Sequence, residues 1–142
     1  MKRLLAICLC IFVLLFLSAC GKYRLKDTNY VIEEYEGVLL TASADISSTG
    51  GIFVLENSTD EKLSCGMGYA LEKKVGENRW KMLVTSEKPV SGQSVVEPET
   101  KQSFIELWES QYGKLPAGQY RYVKDVEVGG RNRKIACEFE IK

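Results

Sequence analysis

Five cysteines and no histidine bound the chemistry open to this 142-residue chain. A cysteine thiol can act as a nucleophile, hold a metal, pair as a disulfide or be modified. Here the five are Cys8, Cys10, Cys20, Cys65 and Cys137. The absence of histidine removes the commonest general base and the commonest neutral metal ligand. It also excludes Ser–His and Cys–His nucleophile pairs within the chain. Carboxylates sit close together as Glu33-Glu34, Glu97 with Glu99, and Glu106 with Glu109. Such pairs can do acid–base work, but glutamates on strands and loops are ordinarily solvated surface charge. Asp45, Asp125 and Glu127 lack the Asp-x-Asp-x-Asp-Gly spacing of a calcium loop. The residue types predict no catalytic site, no metal site and no cofactor.

Cys20 has the most definite chemistry. Met1-Lys2-Arg3 is a short basic start, an apolar run follows from Leu4 to Leu17, and Ser18-Ala19 are small. That order describes a secretory signal over residues 1–19. A permanent bilayer span needs about 20 apolar residues, more than this run supplies. Leu17-Ser18-Ala19-Cys20 resembles the bacterial lipobox, in which cleavage falls before the cysteine and its thiol takes a diacylglyceryl group. The resemblance implies a chain held at the membrane through lipid on Cys20, on the extracytoplasmic face. Gly21, rather than Asp, gives no sign of inner-membrane retention.

Without residues 1–19 the chain keeps 123 residues, the size of one domain. Loss of Lys2 and Arg3 leaves 17 basic against 19 acidic side chains, a formal net charge of −2. Nucleic-acid binding favours a concentrated basic face, and none is legible. The region after the signal has no long apolar run and no charge block, so beyond the lipid no second membrane element is expected.

Residues 20–35 are polar and aperiodic and read as a lipidated tether, leaving 36–142 as the domain. From there short apolar runs alternate with turn residues. Val38 to Ile46 precedes Ser48-Thr49-Gly50-Gly51, and Ile52 to Leu55 ends at Asn57-Ser58-Thr59-Asp60. Leu63 to Lys74 alternates through Cys65, Met67, Tyr69 and Leu71. Trp80 to Val84 leads into a polar connection from Thr85 to Thr100. Tyr120 to Val128 and Lys134 to Ile141 form a final pair around Gly129-Gly130. About seven runs at this spacing predict an all-β sandwich. In the last strand Ile135, Cys137, Phe139 and Ile141 share one parity and face the core. Residues 99–112 are read as a strand, although Phe104, Leu107, Trp108 and Tyr112 also fit a helical period.

The most informative local stretch is Tyr112-Gly113-Lys114-Leu115-Pro116-Ala117-Gly118-Gln119-Tyr120-Arg121. Pro116 and Gly118 turn the chain, Leu115 plugs the core, and Tyr120 enters the next strand. Immunoglobulin-like sandwiches place a tyrosine here whose hydroxyl bonds back to upstream backbone, a structural role. Together with Asn57-Ser58-Thr59-Asp60-Glu61, Tyr69-Ala70-Leu71-Glu72-Lys73-Lys74, Trp80 and Lys124, this stretch resembles the bacterial immunoglobulin-like domain of Gram-positive lipoproteins. The resemblance covers residues 36–142 and implies a fold and a surface location, with no catalytic residues. The layout is more loosely similar to the intracellular proteinase inhibitors of bacilli.

Cys65 and Cys137 remain after export, where disulfides can form. If an intervening strand separates theirs, they stand about 9–10 Å apart, beyond the roughly 7 Å Cα limit of a bridge. A disulfide and two buried inert thiols are both open, with the strand order favouring the thiols. The expected function is a non-enzymatic surface module that binds a protein or envelope ligand. The alternative is a peptidase inhibitor or the sensor component of an envelope-stress system, using a loop at 85–100.

Overall fold

The structure, a computed structural model, describes residues 22–142. The export signal over 1–19 and the lipidation at Cys20 lie outside the described residues.

Among the described residues the chain forms ten strands and one helical turn. In order these are β1 (Arg24–Asp27), β2 (Val38–Ala42), β3 (Gly51–Asn57), β4 (Leu63–Gly66) and β5 (Ala70–Gly76). There follow β6 (Arg79–Val84), β7 (Gln93–Val96), β8 (Thr100–Glu106), α1 (Glu109–Tyr112), β9 (Gly118–Val128) and β10 (Arg131–Ile141). The larger sheet runs β1-β6-β5-β9-β4-β7, with β10 also paired to β9, and the smaller runs β2-β3-β8. The expected all-β sandwich is therefore present.

Three strands beyond the expected seven have separate causes. Residues 24–27, read as tether, pair antiparallel with β6 through Arg24↔Val84 and Asp27↔Lys81. All four side chains are exposed, so backbone pairing alone makes this strand and no apolar pattern announces it. Further along, Ile32 bridges Lys134, Glu33 N–H donates to the Lys134 carbonyl, and Tyr35 packs against the core. The 20–35 tether is thus corrected: from Lys22 onward it is part of the sandwich.

The run from Leu63 to Lys74 is one strand broken in two. β4 pairs with Val126 and Glu127 of β9, and β5 with Tyr120 to Val123 of the same strand. The break at Met67–Tyr69 turns Met67 out to solvent, against the alternation expected of it. It also lets β4 take β7 as its other neighbour while β5 takes β6. β7 itself lies within the connection read as a loop over 85–100.

Residues 99–112 combine both readings: strand through Glu106, then one turn of helix, with Phe104, Trp108 and Tyr112 all buried. The β9–β10 hairpin closes through Gly129 and Gly130, both at positive φ (57° and 70°), as a two-residue turn of this twist requires.

The core lies between the sheets and is built on aromatic rings. Phe53 of β3 stacks on Tyr122 of β9 with centroids 3.9 Å apart, and meets Trp108 and Phe139. Rings from both sheets thus interlock, which resists sliding of one sheet over the other.

Candidate functional site

Leu115 is buried, and its N–H donates to the Ser48 carbonyl, tying the passage from α1 to β9 to the loop before β3. Gly118 has φ of 152°, a conformation most side chains avoid, and it starts β9. The buried Tyr120 hydroxyl donates to the Pro116 carbonyl at 2.8 Å. Burial and the neighbouring Tyr23 push its ionisation far above the ordinary phenol range. Such a group stays a neutral donor, suited to a joint and not to catalysis.

Cys65 and Cys137 are both free. Cys65 of β4 faces Val126, Cys137 of β10 faces Tyr122, and β9 runs between them. Burial raises the Cys65 thiol, against a smaller opposing effect of the Lys124 charge. Burial pushes the Cys137 thiol up to about 12. A thiol held protonated is a poor nucleophile, so neither cysteine is poised for redox or covalent work.

Three buried polar groups carry local structure; the sequence marks them only as part of the family resemblance and assigns them no role. Lys124 is fully buried, and its Nζ donates to the carbonyls of Gly66, Met67 and Gly68 at 2.7, 3.3 and 3.2 Å. These are the carbonyls exposed by the β4–β5 break, so the lysine repairs the ladder where the strand jogs. It also lies 4.0 Å from the centre of the Phe104 ring, and burial lowers its pKa. Asn57 donates from its amide to Glu61, Val96 and Glu97 carbonyls and accepts from Thr59, clamping the loop after β3. Glu72 of β5 is buried in an ion pair with Arg121 of β9, and the guanidinium lies over Trp80. The signal for Lys124 was its parity: Tyr120, Tyr122, Val126 and Val128 point inward on the same strand.

No three His, Cys, Asp or Glu side chains converge as a metal cage among the described residues. The open features are strand edges. Among the described residues, β2 pairs with β3 apart from a short bridge of Val38 to Tyr35, and β10 with β9 apart from the short contact at Ile32–Glu33. A cleft of about 660 Å³ follows these edges, bounded by Ile32 to Leu40 on one side and Ile135 to Glu138 on the other. Glu34, Glu36 and Glu138 face it, together with Arg121 and with Glu33, which is ion-paired to Arg133. Unpaired strand edges offer backbone donors and acceptors to an extended segment, and a carboxylate rim favours a cationic one.

No curated protein and no solved structure matches the chain. A family model described as Bacterial Ig-like domain matches residues 34–140. The match begins beside Tyr35, where the chain joins β10, and ends one residue short of the last strand's end. The chain belongs to the bacterial Ig-like domain family, whose members are typically non-catalytic interaction modules.

Proposed function

We propose that this protein is a lipid-anchored extracytoplasmic lipoprotein that holds a protein ligand along the open edges of β2 and β10. The carrying observation is the acid-lined cleft between these two edge strands, which accepts an extended, basic segment by strand addition. The order of basic start, apolar run and Leu17-Ser18-Ala19-Cys20 supports the address. The reading as a peptidase inhibitor or stress sensor has less support, because four residues of its 85–100 loop, Gln93–Val96, are strand β7, paired to β4.

A photocrosslinking side chain at Glu36 tests the module in its native envelope, with Glu77 in the β5–β6 turn as control. A discrete adduct is expected at 36 and none at 77, and it should be lost in Glu34→Lys/Glu138→Lys. Equal labelling at both positions would sink the edge assignment. Separately, Cys20→Ala should abolish lipid incorporation and release the protein from the membrane fraction.

A further inference from the structure

Strand β8 shows two large aliphatic side chains to solvent while it turns a carboxylate inward. Phe104, Glu106 and Trp108 share the inward parity, and the Glu106 carboxylate accepts from the Tyr122 hydroxyl at 2.7 Å. Ile105 and Leu107 point outward and are 70% and 76% exposed. Ile52 of β3 lies directly across from Ile105, and Leu107 packs beside Gly50. The result is an apolar stripe on the outward face of the smaller sheet, running down to α1. Large outward aliphatics grouped in this way mark a surface that meets something apolar.

The described chain begins at the same end. Lys22 N–H donates to the Tyr112 carbonyl at 3.2 Å, and its Nζ donates to the Ser110 carbonyl at 3.2 Å. Ser110 is three residues beyond Leu107, so Lys22 is tied to the α1 turn that directly follows the stripe. Cys20 precedes Lys22 by two residues, which span at most about 7 Å. A lipid on Cys20 therefore has almost no slack between bilayer and sandwich. Lys22 and Lys114, both exposed, add ammonium groups beside α1, with Glu109 and Glu87 as nearby acids.

From this we infer that the bilayer itself covers the Leu107–Ile105 stripe: the anchor seats the α1 end of the sandwich on the membrane, with Leu107 in the interface. The inference rests on the reading of Cys20 as lipidated. It fits the edge cleft, because seating the domain by its α1 end leaves the Glu34–Glu36 region away from the anchor.

The test uses the full lipidated chain in phosphatidylglycerol–phosphatidylcholine vesicles, with and without brominated acyl chains. Leu107→Trp adds an emitter at the stripe, Ile105→Trp repeats the reading, and Val31→Trp (72% exposed, next to the Ile32–Lys134 bridge) is the control. Emission over the wild-type background should fall about twofold in brominated vesicles at 107 and 105, as for a group buried 5–10 Å into the interface, and stay level at 31. Intact mass reports the lipid independently. A chain without lipid on Cys20 overturns both the anchor and the seat. A lipidated chain whose 107 and 105 emitters behave like 31 overturns the seat alone, and points to a protein partner on the stripe.

Discussion

Lys124 shows how one side chain can decide a local fold. Its three carbonyl partners belong to the Gly66–Gly68 break, so removing the ammonium strands acceptors inside the protein. Lys124→Met, which keeps the aliphatic stem, should lower stability by about 2–3 kcal/mol, read from the urea midpoint. Tyr120→Phe removes the bond to the Pro116 carbonyl and the hydroxyl's interaction with Tyr23, and should cost about 1 kcal/mol by the same measurement. Cys137 adds a pH dependence. An unfolded thiol ionises near 9, and the folded one near 12. Between those values the folded state holds more protons, so the contribution of Cys137 is complete below pH 9 and is lost as pH rises toward 12. Cys137→Val should therefore flatten the loss of stability between pH 9 and 12 relative to wild type. Titration of the tyrosines other than Tyr122, which faces Cys137, is common to both chains and cancels in the comparison.

Among the elements, legibility follows side-chain burial. β9 and β10 were readable because alternate residues such as Tyr120, Tyr122, Ile135 and Phe139 enter the core. β1 was not, because its four exposed side chains carry no pattern and its partner lies more than 50 residues away in sequence. The break between β4 and β5 was hidden for another reason. Met67 continues the apolar alternation in sequence, yet its strand leaves the sheet there to serve two different neighbours. Hydrogen exchange separates paired backbone from a free tether: amides of Arg24–Asp27 that point to β6 should be protected at least tenfold over those of the exposed 86–91 loop, on the view that a paired amide exchanges only through local opening.

For the whole molecule, stability rests on rings that interlock between the sheets. Phe53 comes from the smaller sheet and touches Tyr122 and Phe139 of the larger. Phe53→Ala should cost about 3–5 kcal/mol, in the range for buried aromatic truncation, and should loosen both sheets in one transition rather than two. The same scale governs the surface. Two features lie on different parts of one body: the acid-lined cleft along β2 and β10, and the stripe at Ile105 and Leu107, which leads to the α1 turn where Lys22 is tied. Each draws on residues distant in sequence, as the approach of Glu36 to Glu138 illustrates.

The sequence by itself determined the fold class and the final hairpin. Those follow from local periodicity and turn residues. Tertiary structure alone decided that residues 22–35 are folded, that Lys124 closes a broken strand, and that Glu106 is turned in while Leu107 is turned out. The physical reason is common to all three. Each depends on which backbone groups or side chains another strand leaves unpaired, and no local pattern encodes that pairing.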